Sequence, residues 1–354
     1  MPHSHDEVIC EFHLAGPKEM QMAVEASRKA QAGWEALGWE KRAELLEKAA
    51  DLMTERFYDL CAVMTFETGK TRFESSIDVD EGIDFLRFYA LMMREYNGFS
   101  QLMGKPFPNE HCSSHRRAVG VFGVVCPFNF PIAITAGMAA GALVTGNAAI
   151  IKPSMKGCLS GWEVAKVYWD AGFPKEIVQF VTGEDLEVGA EMVETTDLDG
   201  MVFTGSKRIG MMAAMKELES GHPRPFIAEM GGKNAVLISD KADLDKAVQG
   251  VYKSAFGFSG QKCSACSRVY VHKDVAEDFL DRLQKLVDAT PIGMPWEKSN
   301  FMGPVVEARK LDLYREVVEQ VKADGGRIVS GGEILDLPGH YVKPTVVTGL
   351  PKDH

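Results

Sequence analysis

Apolar positions recur at helical spacing through the first hundred residues. Lys18–Leu37 is rich in Ala, and its apolar residues fall three and four apart, which predicts a helix. A second helix is predicted over Glu40–Met64, where Leu45, Leu46, Ala49 and Leu52 are followed by Met53, Phe57, Leu60 and Val63. Glu74–Tyr96 reads as a third, with Glu74, Asp78, Glu81 and Asp84 forming a solvated acidic face. Between Asn97 and Arg117 the pattern is irregular and carries several Pro and Gly. The period then shortens. Compact apolar runs appear at Val119–Val125, Ala148–Lys152, Ile177–Val181, Met201–Phe203 and Pro225–Ala228, separated by helix-like segments. That alternation predicts βαβ units on a parallel sheet. A second set follows Glu229: strands at Ala235–Ile238 and Val269–Val271, and helices over Ala242–Phe258, Val275–Val287 and Glu307–Val321. The expected organisation is an N-terminal part over 1–229 and a second α/β part over 230–354.

Composition narrows the picture. At 354 residues the chain is longer than one core usually serves, so two domains are expected. Hydrophobic residues make up 45% and charged residues 25%, the ordinary balance of a globular protein. The net charge is −11, with no basic cluster to offset it, which argues against nucleic acid or an anionic membrane as partner. The longest apolar stretch, Pro131–Ile151, is broken by several Gly, Thr145 and Asn147 and reads as a buried helix and strand, not a membrane span. Seven scattered cysteines suggest reduced thiols, and the first residues lack a secretory pattern, so the cytoplasm is the expected compartment.

Ligands of parallel sheets bind beyond the carboxyl ends of the strands. After the first run comes CPFNFP, Cys126–Pro131, where Asn129 is either a turn residue bonding its own backbone or an amide aimed at an oxyanion. Lys152 closes the second run, before Pro153 and Ser154, and either snorkels to water or bonds a ribose or phosphate. FTGSKRIG, Phe203–Gly210, supplies a tight turn at Gly205, a helix cap at Ser206 and a close-packing Gly210, an arrangement that suits a pyrophosphate although no G-x-G-x-x-G is present. EMGGKN places Glu229 before Gly231–Gly232, as a general base or an ordinary surface carboxylate.

GQKCSACSR holds Cys263 and Cys266 three positions apart. A zinc site would need a second C-x-x-C or paired histidines at the right spacing, and neither occurs. A redox pair would open a helix, whereas Arg268–Val271 is strand-like. Cys263 is then read as a nucleophile on a turn, with Gly257 and Gly260 letting the backbone approach substrate.

Taken in order, PFNFP, IIKPS, FTGSKRIG, EMGGKN and GQKCSACSR closely resemble the aldehyde dehydrogenase superfamily, over nearly the whole chain and including YVKPTVV at 341–347. GQKCSACSR with EMGGKN, together with EFHLAG and LVTGNAAIIKPS, looks most like its 1-pyrroline-5-carboxylate dehydrogenase branch. The resemblance implies a Rossmann-type cofactor domain plus an α/β catalytic domain, and oxidation of a small aldehyde, L-glutamate γ-semialdehyde to L-glutamate in proline breakdown. It implies that Cys263 forms a thioester, that Asn129 and the Cys263 N–H hold the oxyanion, and that Glu229 activates water. Phe128, Lys152, Ser154, Gly205, Ser206 and Gly210 are assigned to the cofactor, Lys262 and Ser264 to the substrate's carboxylates, and no metal is expected.

Two departures qualify the resemblance. NAD is the cofactor the resemblance implies, but where many NAD-using relatives carry a ribose-binding glutamate this chain has Met155, which keeps NADP as the alternative. Relatives also continue past the point where this chain stops, with a Glu-x-Phe ribose grip, an aldehyde-anchoring loop and an oligomerisation strand, and they carry a further N-terminal segment. The expectation is a shortened chain whose parent is a homo-oligomer, with the mitochondrial matrix as alternative compartment if a presequence precedes it. Another aldehyde substrate, or a silent nucleotide-binding fragment, are the competing readings.

Overall fold

The structure, a computed structural model, describes residues 1–4, 7–184, 187–195, 197–221 and 223–351; the chain's last three residues lie outside them. It divides into two compact units, one of Cys10–Val63 and Ser76–Met230, the other of Met1–Ile9, Met64–Ser75 and Gly231–His354.

Four helices lead the chain: α1 (Pro17–Ala36), α2 (Trp39–Glu55), α3 (Phe57–Thr68) and α4 (Arg72–Glu95). The single helix expected over Glu40–Met64 is two. Arg56 leaves helical geometry at φ −94°, ψ 15°, caps α2 through its N–H on the Leu52 carbonyl, and pairs its guanidinium with Asp170 at 2.7 Å. The irregular stretch after Asn97 contains a short antiparallel hairpin, β1 (Ser100–Leu102) with β2 (Ser113–His115), and Leu102, Met103 and Phe107 are exposed on it.

The remainder of the first unit alternates strand and helix: β3 (Val121–Val125), α5 (Ala133–Val144), β4 (Ala148–Lys152), α6 (Cys158–Ala171), β5 (Val178–Phe180), α7 (Val188–Glu194), β6 (Gly200–Gly205), α8 (Lys207–Glu219) and β7 (Phe226–Met230). The five strands from β3 onward form one parallel sheet in the order β5-β4-β3-β6-β7. The chain reverses direction across the sheet between β3 and β6, which makes that point the ligand crevice of a doubly wound fold. β4 is buried throughout and β3 nearly so, because α1 and α5 pack on β4 and α5 on β3. The apolar stretch from Pro131 resolves into α5 and β4, and among the described residues no helix is long and apolar enough to cross a membrane.

The second unit pairs β8 (Asn234–Ile238) with β9 (Cys266–Val271) in parallel through the crossover helix α9 (Leu244–Phe256). Its core joins Ile238 to Val248, Val251 and Tyr252 of α9 and to Phe279, Leu283 and Val287 of α10 (Ala276–Asp288). Then α11 (Ala308–Ala323) packs on β10 (Arg327–Ser330), which pairs antiparallel with β11 (Val346–Thr348). Leu237 and Tyr270 are register partners of β8 and β9, and both are exposed.

Candidate active site

In the first unit the predicted residues gather along one edge, the carboxyl ends of the parallel strands. Beyond β3, the Cys126 N–H donates to the Lys152 carbonyl at 2.9 Å, extending the ladder by one step before the CPFNFP turn leaves it. Burial favours the neutral thiol of Cys126 and pushes its pKa up to about 12, against the opposing charge of Lys152. Phe128 and Asn129 are half-buried. The Asn129 amide makes no hydrogen bond among the described residues, so it is not the self-bonded turn asparagine of the alternative reading. Gly157 explains how the turn fits: a Cβ there would sit 2.9 Å from Pro131 Cβ and 3.5 Å from Phe128 Cα.

The helix that follows the turn, α5, starts with no capping side chain of its own. Its cap comes from α4, where Asp78 Oδ1 accepts the Ala133 N–H at 2.7 Å. Asp78 is fully buried and Glu74 is 5% exposed, which corrects the expectation of a solvated acidic face. Only Asp84 of the four residues stands exposed, with Glu81 partly so.

Lys152 is also buried, at 1% exposure, and its Nζ donates to the Pro153 carbonyl at 3.3 Å. It does not snorkel to solvent. Ser154 is half-buried, and its Oγ accepts the Lys156 N–H at 3.4 Å, shaping the turn on which Met155 sits. At the end of β6, Ser206 caps α8 by accepting the Ile209 N–H at 3.4 Å. Gly205 and Gly210 lack side chains for steric reasons. A Cβ at Gly205 would meet the Phe203 ring at 2.6 Å, and one at Gly210 would meet Met230 Sδ at 2.6 Å. The start of α8 thus lies tight against the strand ends with backbone N–H groups available for an anionic ligand. Glu229 is exposed on the edge strand β7, in register with Thr204 of β6.

In the second unit Cys263 is exposed at the tip of a turn in which the Ala265 N–H returns to the Lys262 carbonyl at 3.3 Å. Asn234 pins this turn. Its Nδ2 donates to the Cys263 carbonyl at 2.8 Å and to that of Ala265 at 3.4 Å. Gly232 leaves room for it, since a Cβ there would stand 3.2 Å from the Cys263 oxygen. Asn234 was missing from the sequence-based site, although it closes the EMGGKN motif that marks Glu229.

The approach to the turn is unusual backbone. Phe258 (φ 50°, ψ 39°) and Ser259 (φ 55°, ψ 30°) are both left-handed, followed by Gly260 at φ 72°. Ser259 Oγ donates to the Gly303 carbonyl at 2.8 Å, and Gln261 Oε1 accepts the Val306 N–H at 3.0 Å.

Cys266 differs from Cys263 in exposure and in its hydrogen bonding. It begins β9, is 7% exposed, and donates its S–H to the Arg268 carbonyl at 3.5 Å. Burial raises its thiol pKa, outweighing two backbone hydrogen bonds that act the other way. Both thiols are free. Ser264 is exposed. Lys262 is not open in that way. Its Nζ lies 2.5 Å from Glu74 Oε2, with the side chains 17% and 7% exposed. The contact is close enough for an ion pair but misaligned for a hydrogen bond, since Oε2 has no partner that meets hydrogen-bond geometry. Its charge is paired with Glu74 inside the unit.

A doubly wound sheet with a helix N-terminus at its strand ends is the fold of a dinucleotide-binding protein, and Cys263 is the exposed cysteine among those described. The chain belongs to the aldehyde dehydrogenase family, whose model matches residues 1–354, and with it to the NAD(P)-dependent aldehyde dehydrogenases. It is 34% identical over 353 residues to the 1-pyrroline-5-carboxylate dehydrogenase of Staphylococcus haemolyticus, covering 99% of this chain and 68% of that one. The Thermus 1-pyrroline-5-carboxylate dehydrogenase with bound NAD superposes with a TM-score of 0.94 at 36% identity, over 99% of this chain and 68% of that one. Proline utilization A from Bdellovibrio bacteriovorus gives a TM-score of 0.95 at 35% identity, covering all of this chain and 37% of that protein.

Proposed function

We propose that the protein oxidises L-glutamate γ-semialdehyde to L-glutamate through a thioester on Cys263, as a step of proline degradation. The observation that carries the proposal is the contrast between the two thiols of GQKCSACSR: Cys263 exposed on a pinned turn, Cys266 buried in a strand. The relatives named for this activity support the substrate.

The residues fit a dinucleotide. Gly205 and Gly210 leave the α8 N-terminus uncrowded for a pyrophosphate, Lys152 and Ser154 stand at the carboxyl end of β4, two strands across the sheet from β6, for a ribose, and Phe128 stands beside Asn129. When bound, NAD or NADP supplies the two-electron acceptor. The chain's own residues do the rest. The Cys263 thiolate adds to the aldehyde carbon, and the oxygen that gains charge is held by the Asn129 amide and the Cys263 N–H. Oxidation of that adduct leaves a thioester. Glu229 takes a proton from water as it attacks the thioester carbon, which breaks the C–S bond and releases the acid and the thiolate.

The test is a side-by-side rate measurement on glutamate semialdehyde and on a simple aliphatic aldehyde such as propanal. Catalytic efficiency at least about tenfold higher on the former is expected, the discrimination available when polar groups on the substrate are matched. Equal efficiencies would overturn the substrate assignment. A second measurement concerns Glu229. Glu229→Gln should still give a burst of one NADH per Cys263, while steady-state turnover falls by about 10²–10⁴, the range for losing a general base. Loss of the burst along with turnover would remove Glu229 from the hydrolytic step. The exposed Leu102, Met103 and Phe107 of the β1–β2 hairpin support a second copy of the chain as partner.

A further inference from the structure

We infer that Glu74 is a positioning residue for the nucleophile turn, acting through Lys262; the inference rests on Cys263 being the nucleophile. Two side chains from the segment Met64–Ser75 hold the loop that leads to Cys263, and all of these residues belong to one unit. Lys70, fully buried, places its Nζ 5.0 Å from the ring centroid of Phe258, itself 1% exposed. Glu74 places Oε2 2.5 Å from Lys262 Nζ. Between these two holds lie the left-handed Phe258 and Ser259, a conformation that persists only where the surroundings over-determine it. Glu74 also packs on the start of the loop: a side chain at Gly257 would fall 2.5 Å from its Oε1.

Lys262 is the residue next to Cys263, so whatever fixes its side chain fixes the turn. Both partners of the ion pair are largely removed from water. Taking away the carboxylate leaves a buried ammonium without compensation, and that ammonium moves toward solvent. Because Lys262 is bonded directly to Cys263, the displacement carries the thiol with it. Replacing both partners by apolar side chains leaves no charge to expel, and the turn keeps its place.

The experiment uses the full chain with Glu74→Gln, Glu74→Asp, Lys262→Met and the double variant Glu74→Leu/Lys262→Met. Three quantities are read: kcat, the KM values for aldehyde and NAD, and the rate at which iodoacetamide labels Cys263, followed by mass spectrometry. Glu74→Gln is expected to lower kcat by about tenfold or more and to change the labelling rate, with the KM for NAD within about twofold, since misplacement of a reacting group falls on the chemical step. Glu74→Asp keeps the charge and should stay within about threefold of the parent, and the double variant should recover most of the loss, as contacting residues do when their effects are coupled. Losses that multiply in the double variant would overturn the inference, as would a Glu74→Gln protein with unchanged kcat and labelling. A rise in KM for the carboxylate-bearing aldehyde alone in Lys262→Met would overturn it in favour of direct substrate contact. Labelling needs no turnover, so it reads the turn independently of activity. If Cys263→Ala retains turnover, the nucleophile assignment itself fails; if that variant is dead and Glu74→Gln is normal, only the present inference does.

Discussion

Cys263→Ala is expected to abolish aldehyde oxidation, with a loss of at least about 10³-fold in kcat, while Cys266→Ala stays within about threefold of the parent. The two residues are three apart and chemically identical, so the contrast isolates environment. Cys263 is exposed on a turn whose carbonyls are held by Asn234. Cys266 is enclosed at the start of β9 with its S–H committed to Arg268, and burial raises its pKa. A free aldehyde is a poor two-electron donor; its thiol adduct is a good one, and only an accessible sulfur can make that adduct. Two readouts check the prediction: steady-state NADH production and the mass shift of the trapped acyl-enzyme. Equal losses from both substitutions would return the pair to a joint role, such as a redox couple, and sink the single-nucleophile assignment.

The strands were legible in the sequence because the central strands of a parallel sheet are buried on both faces and read as unbroken apolar runs, as Ala148–Lys152 does. The candidate site is read from motifs at the ends of those runs, where backbone turns demand Gly and Pro and where parallel sheets bind ligands. What periodicity concealed were partners distant in sequence. Glu74 and Asp78 are one helical turn apart and look like any solvated acidic stripe. Their burial follows from Lys262 and from the Ala133 N–H, which no local pattern connects to them. The same holds for Asn234, whose role depends on the Cys263 carbonyl. The break at Arg56 was hidden for another reason: its neighbours are helix formers, and neither Pro nor Gly marks it. The β1–β2 hairpin escaped because its three-residue strands, one of them Ser-Ser-His, carry no apolar alternation.

Asp78 carries the second large expected effect, this time on stability. Asp78→Ala should destabilise the first unit by about 2–3 kcal/mol, the cost of a buried charged hydrogen bond lost together with a helix cap. The Ala133 N–H at the start of α5 would be left without its acceptor inside the fold, and α5 has no capping side chain to replace it. Asp78→Asn retains a side-chain oxygen acceptor but no charge, so it should recover part of the loss. Asp84→Ala, on the same helix but exposed, is the control and should change stability by no more than about 0.5 kcal/mol. Thermal unfolding of the three variants checks this, with Asp78→Ala melting several degrees below the others. The effect should also reach catalysis. The CPFNFP turn bearing Asn129 runs directly into α5, so a frayed α5 start loosens the backbone that carries the Asn129 amide, the oxyanion donor of the proposed mechanism. At temperatures where Asp78→Ala remains folded, kcat should therefore fall while the labelling rate of Cys263 stays at the parent value. A variant that melts and turns over like Asp84→Ala would show that the buried carboxylate neither caps α5 nor supports the turn.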